Sequence, residues 1–221
     1  MAAIGALIYV TVFSRLIGLS QLVVSIATVG LGVLLQMISN MIWGSGARTL
    51  PNLISYRRIV VFGHFSMTPA DIFSFVLGAV GIAAVAAFLQ FTRTGLRMRA
   101  TAGSAVLASY TGARPARMSA LAWALAAGTA AAAGIGYSLQ SQLDPSTLNN
   151  LGLAIFPAII LGGLDSVAGA ALGAVVLGIV QSTAGVTLGG QWESPVGYLV
   201  LIVVIMIRPR GFLGSAHVAR L

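Results

Sequence analysis

Cysteine is absent from this 221-residue sequence, and so is lysine. The first absence excludes a disulfide framework and any thiolate metal site. The second excludes a glycine-rich phosphate loop ending in lysine, so the chain has no such loop with which to hold ATP. Charge is scarce as well: 7% of residues are charged, against about 25% in ordinary soluble domains. With 58% hydrophobic residues and a mean hydropathy of +0.99, the chain has too few polar side chains to cover a surface in water. Its solvent is mostly lipid. No HExxH, no nucleophile elbow and no ionisable relay inside an apolar run is present, which disfavours an intramembrane enzyme and a proton-driven pump. His64 and His217 are too far apart in sequence to suggest a metal pair. The expectation is therefore no catalytic residue, no metal and no cofactor.

What is there is a set of apolar runs. Crossing roughly 30 Å of hydrocarbon takes about 20 helical residues. Three runs meet that length, at 21–43, 71–91 and 118–137, and a glycine-rich fourth lies at 167–188 without a charge in it. Shorter runs at 151–164 and 196–207 must tilt or be extended by interfacial residues to span. The opening stretch 2–13 is apolar, lacks the basic start of a signal peptide, and reads as the end of a membrane helix. The expected fold is all-α: a polytopic membrane bundle of about six segments plus an incomplete N-terminal one.

The twelve basic residues are all arginine and outnumber the four acids, giving a net charge of +8. In water that excess would suggest nucleic acid; in a bilayer it sets sidedness, because short basic loops stay cytoplasmic. Arg93, Arg97, Arg99, Arg114 and Arg117 share the loop 92–117, which is placed inside. One crossing per run then puts Arg15, Arg208, Arg210 and Arg220 inside too, and leaves Arg48, Arg57 and Arg58 outside. No nucleic-acid partner is expected, only membrane lipid.

The acids punctuate helices. Thr68-Pro69-Ala70-Asp71 reads as a capped start, and Asp144-Pro145 and Ser194-Pro195 as similar ones, with Glu193 in the adjoining loop. Asp165 reads as an N-cap for the helix after Ser166, in preference to an ion or substrate contact. Small residues supply the packing chemistry. Ala120, Ala124, Gly128, Ala132 and Gly136 recur every four residues, laying a strip along one face where another backbone can approach. Gly169 and Gly173 form a GxxxG, with Ala170, Ala174 and Gly178 beside it. Trp43, Tyr137, Trp192 and Tyr198 fall at or near span ends, where rings prefer the interface.

The loop 92–117 is too long for a turn. Residues 99–113 can form one short helix, with Ala102, Ala105, Val106, Ala108 and Ser109 small enough to enter a partner's groove and Gly112 as the stop. The plainer alternative is a solvated loop that fixes topology.

Several motifs here carry a resemblance. Thr94-Gly95-Leu96-Arg97-Met98-Arg99-Ala100, followed by the small-residue helix and Gly112, resembles the cytoplasmic coupling region of the branched-chain amino acid ABC transporter permeases. Ile26-Ala27-Thr28-Val29-Gly30 is similar to that family's early helix motif. Phe156, the run from Leu161 through Ala170, Gly173, and the end from Arg208 to Gly214 are similar to its C-terminal signatures. Asp165 departs from it, falling where many relatives have glycine. Family members also carry further membrane helices ahead of the region where this sequence starts.

The resemblance implies one permease transmembrane domain over 1–214 and a cytoplasmic tail at 215–221, in a bacterial inner membrane. It implies three kinds of protein partner: a second permease subunit, cytoplasmic ABC ATPase subunits, and an extracytoplasmic solute-binding protein. Arg97, Arg99, Ala105, Ala108 and Gly112 become the expected ATPase-coupling residues. A truncated, non-transporting scaffold is the alternative.

Overall fold

The computed structural model describes residues 1–46, 59–61, 65–142, 145–208 and 211–214. In chain order they form α1 (Ala2–Thr11), a 3-10 turn (Phe13–Leu16), α2 (Gln21–Trp43), β1 (Ile59–Val61), β2 (Phe65–Met67), α3 (Pro69–Phe91), α4 (Arg93–Gly103) and α5 (Ala105–Tyr110). Then follow α6 (Pro115–Ser138), α7 (Pro145–Gly162), α8 (Val167–Leu188), a 3-10 turn (Gly190–Trp192) and α9 (Glu193–Ile207). The fold is all-α apart from the small antiparallel hairpin β1–β2, in which Val60 faces Ser66. Among the described residues, five helical segments are long and apolar enough to cross a membrane: Leu22–Trp43, Pro69–Phe91, Pro115–Ser138, Val167–Leu188 and Gly190–Ile207. Helix α7, with 18 residues, contains the expected run 151–164 without being one of these five, and α1 is the short leading helix. The chain is a multi-pass membrane protein.

The two short runs are longer than composition alone indicates. Helix α7 reaches back to Pro145, and α9 starts at Glu193 and is continuous with the turn before it. Ser194 is consequently not a cap. Trp192 holds that position without a side-chain bond, while Pro195 sits in the first turn, where a missing N–H removes no helical hydrogen bond. Glu193 lies in that first turn rather than in a loop, at the favourable end of the helix dipole. Asp165 is likewise not the cap of α8. Ser166 is, accepting the Gly169 amide at 2.9 Å, and Asp165 is exposed one residue earlier. The Thr68 box forms as expected: the Thr68 amide donates to Asp71 at 2.8 Å and the Asp71 amide to Thr68 Oγ1 at 3.3 Å. Asp144 lies outside the described residues, as do Arg48, Arg57, Arg58, His64, Pro209, Arg210 and the segment 215–221.

The chain divides into two compact units, Met1–Ser146 and Thr147–Leu221. In the first, α6 is the central helix, and α1 and α3 both pack on it. Both run antiparallel to it. On one side Gly5 of α1 sits so close to Trp123 and Ala127 that a Cβ there would strike the Trp123 carbonyl, and Phe13 stacks on Trp123 at 4.3 Å between ring centroids. On the other, Ser74 of α3 lies 2.9 Å from the carbonyl oxygens of both Ala70 and Gly136, sharing its hydroxyl between its own helix and α6. Antiparallel packing brings Arg15, after α1, to the same end of this unit as the loop 92–117.

In the second unit the backbones of α7 and α8 touch. A Cβ on Gly162 would strike the Gly169 carbonyl, and one on Gly173 the Ala158 carbonyl. Pro157 and Leu161 are the largest fully buried side chains described, so the core of this unit sits along that crossing. Helix α9 returns along α8, with Gly197 against the Gln181 side chain and Glu193 against Gly185. The segment 211–213 then turns back onto the end of α7: Phe212 donates its amide to the Leu161 carbonyl at 2.8 Å, and Leu213 to Gly162 at 3.0 Å. These are two of the carbonyls that a helix end leaves without an internal partner. Gly211, at φ +72°, makes the approach possible, since a Cβ would lie 2.5 Å from the Ile160 carbonyl oxygen.

Candidate functional site

The candidate site is the loop 92–117, and its geometry follows from three breaks in helical continuity. Thr92 ends α3 in an extended conformation and caps α4, accepting the Gly95 amide at 2.9 Å. Its hydroxyl also donates back to the Phe88 carbonyl at 2.6 Å. Gly95 is buried, and a Cβ there would lie 2.6 Å from Leu89 Cα, so α4 folds back directly over the last turn of α3. No other residue type permits so tight a reversal.

The second break corrects the expectation of one helix over 99–113. Residues 93–110 form two helices, parted at Ser104, which is extended and caps α5 through the Leu107 amide at 3.3 Å. The local sequence explains it: Gly103 weakens a helix, and a serine side chain competes for backbone amides where a new helix starts. The third break is Gly112, the expected stop, at φ +80°. Around it the Ala113 amide reaches the Ala108 carbonyl at 3.1 Å, and Pro115 opens α6.

These breaks sort the predicted residues. Arg97, Arg99 and Ala105 are exposed, and Arg99 reaches the Gln90 carbonyl at 3.5 Å. Ala108 is only 3% exposed: it faces its own chain beside buried Ala113 and not a partner. The outward side of α5 is apolar, with Val106, Leu107 and Tyr110 64%, 68% and 82% exposed. Arg93, Arg114 and Arg117, in the flanking segments of the same loop, are exposed as well. The loop therefore exposes both apolar side chains and cations. Among the described residues no group of acids and histidines could hold a metal, and no buried side-chain polar atom lacks a partner.

The packing residues also divide. Ala120, Ala124, Gly128 and Ala132 are half-buried and Gly136 buried; Gly128 faces Ala2 at 3.8 Å and Gly136 faces Ser74 and Leu77 at 3.7 Å. Gly169 and Gly173 are buried at the α7–α8 crossing, while Ala174 and Gly178 beside them are exposed. Trp43, Trp192 and Tyr198 are exposed at or near their helix ends and Tyr137 is half-buried. Gly5 and Gly197 were not singled out by the sequence, because no local spacing marks the helix that each one closes against.

The family described as "Branched-chain amino acid transport system / permease component" matches residues 1–207. The chain is similar to the high-affinity branched-chain amino acid transport system permease protein LivH of Escherichia coli K12, at 28% identity over 206 residues, covering 90% of this chain and 66% of LivH. It is similar to LivH of Salmonella typhimurium, at 27% over 204 residues with the same shares covered. BraD of Pseudomonas aeruginosa, a permease protein of the same kind of system, aligns at 27% identity over 225 residues, covering 99% of this chain and 73% of BraD. The chain thus spans a little under two thirds of the length of the LivH proteins. No solved structure matches. With the family's match running from α1 through α9, the chain belongs to the branched-chain amino acid transport permease family.

Proposed function

We infer that the chain is a permease subunit of a binding-protein-dependent ABC importer and contributes to the pathway for branched-chain or related amino acids. The family match over 1–207 carries this reading. Its domain is 1–214, its tail 215–221 is cytoplasmic, and it sits in a bacterial inner membrane beside a second permease subunit. ATP is hydrolysed by separate ATPase subunits that seat on α4–α5; the chain itself catalyses nothing. An extracytoplasmic binding protein delivers the solute.

The geometry of the loop gives the coupling a physical form. Val106, Leu107 and Tyr110 enter the ATPase groove, with Ala105 at their edge, while Arg97 and Arg99 offer charge around it. Ala108 and Gly112 act from within, fixing α5 to α6 so that a push on α5 moves α6 as a lever. Gly5, Gly128 and Gly136 hold α1 and α3 to that lever. Reconstitution into liposomes with the ATPases and the binding protein is the test. Uptake of a labelled branched-chain amino acid that requires both ATP and binding protein is the expected result; ATPase binding without uptake would establish the scaffold instead.

A further inference from the structure

Helix α2 stands apart from the packing described above. None of its described side chains is buried, and within its own unit it touches chiefly the 3-10 turn Phe13–Leu16. Its faces are chemically unequal. Ser25, Thr28, Gly32, Gln36 and Ser39 follow at spacings of three and four, which places them in one arc of roughly 80° at 100° per residue. Between Leu22 and Ile42 no apolar side chain falls in that arc. Outside it the same stretch is Leu, Ile, Val, Met and Ala, with only Gly30 and Asn40 as exceptions. From Ser25 to Ser39 the stripe is about 21 Å long, most of a hydrocarbon core. No residue of α2 is charged.

The Gln36 side-chain amide on this face needs a hydrogen-bonding neighbour. Lipid tails supply none, and leaving that amide against them is costly. A tightly packed second helix fits poorly, because this chain makes its helix contacts in another way: Gly5 on Trp123, Gly162 on Gly169 and Gly173 on Ala158 are all backbone approaches through glycine. The stripe has one glycine, Gly32, and two residues on either side of it carry side chains that hold backbones apart, Gln36 above all. What remains is water and a polar solute. The chemistry suits a solute with both signs of charge and none in sum. Thr28 Oγ1 donates to the Val24 carbonyl at 2.8 Å and keeps its oxygen as an acceptor for an ammonium group, while the Gln36 amide offers donors to a carboxylate. Neither is ionised, so neither would trap the solute.

Resting on the permease reading, we propose that the Ser25–Thr28–Gly32–Gln36–Ser39 face of α2 lines the hydrated route of a small zwitterionic solute. The sequence has no cysteine, so single cysteines can be placed without removing any. Ser25→Cys, Thr28→Cys, Gln36→Cys and Ser39→Cys are compared with Val23→Cys, Leu34→Cys and Met41→Cys on the opposite face, in the full transporter in intact cells. Methanethiosulfonate reagents need a thiolate, and therefore water, so stripe positions are expected to react about tenfold faster or more than the opposite face. A mixture of the standard amino acids should slow the stripe reactions and leave the others unchanged.

Equal reactivity of both faces overturns the proposal. So does spontaneous cross-linking of stripe cysteines between two copies, which would make the face a subunit contact, and so does stripe labelling that the amino acids leave unslowed. Amino acid uptake by the cysteine-free protein is measured in the same cells. Its absence refutes the permease reading, whereas normal uptake with an unreactive stripe refutes this inference alone.

Discussion

The amide of Phe212 donates to the carbonyl of Leu161 at 2.8 Å, joining the segment after the last helix to the end of a helix fifty residues earlier. Leu161 is 1% exposed, so that carbonyl has no water to replace the bond. A buried acceptor that loses its donor costs about 1–3 kcal/mol. Phe212→Pro removes the donor and should lower the melting temperature of the purified protein in detergent, with Gly211→Val acting similarly through its positive φ and the Ile160 carbonyl. Leu213→Ala, which keeps its amide, should lose much less.

Two glycines give opposite expectations for the same change. At Gly5 an added methyl meets the Trp123 backbone and Ala127, and Gly5→Ala should destabilise by about 1–3 kcal/mol as α1 is pushed off α6. At Gly78 of α3 nothing lies within 4 Å of such a methyl, and Gly78→Ala should be neutral or stabilise by about 0.5–1 kcal/mol. Thermal unfolding of both variants decides it; the reverse order would mean α1 is not seated on α6.

For the coupling surface, three variants separate docking from folding. Ala105→Glu puts an exposed carboxylate at the edge of α5 and should abolish ATPase co-purification and uptake while the protein still inserts and melts normally. Ala108→Glu buries a charge against its own chain and should fail earlier, in yield and stability. Arg117→Gln should be mild in both assays, as one of five exposed arginines in this loop. Normal ATPase association in Ala105→Glu would leave the loop a topology determinant only.

Sidedness is open to the same cysteine chemistry. Ser109→Cys, in α5, should react with an impermeant reagent only from the cytoplasmic side, and Ser141→Cys, after α6, only from outside. Reaction of both from one side would overturn the count of crossings.

Much of this architecture was legible because lipid makes sequence blunt. An apolar run of the right length has one stable form in hydrocarbon, so Gln21–Trp43 and Val167–Leu188 match their helices end to end. The errors lie where a single side chain decides between neighbouring solutions. Proline at 195 reads as a start, yet it is equally at home in the third position of a helix already begun. Ser166 and Asp165 are both good caps, and only the backbone path selects Ser166. The break at Ser104 was hidden because the alanines on either side favour helix whether or not the helix is continuous. The outward apolar side of α5 was legible only at Val106; Leu107 and Tyr110 were missed because size alone does not tell which side of so short a helix faces out until Ala108 is seen to take the inside.

The hook of residues 211–213 over the end of α7 also sets an order on biogenesis. Helix α7 is synthesised about fifty residues before its last carbonyls receive their partners, and α8 and α9 must both enter the bilayer in between. Until then the Leu161 and Gly162 carbonyls depend on interfacial water or on the insertion machinery, and the second unit cannot close. Chains stalled before residue 211 should therefore present an open, protease-sensitive α7–α8 pair, and synthesis through Leu213 should be the step that confers resistance.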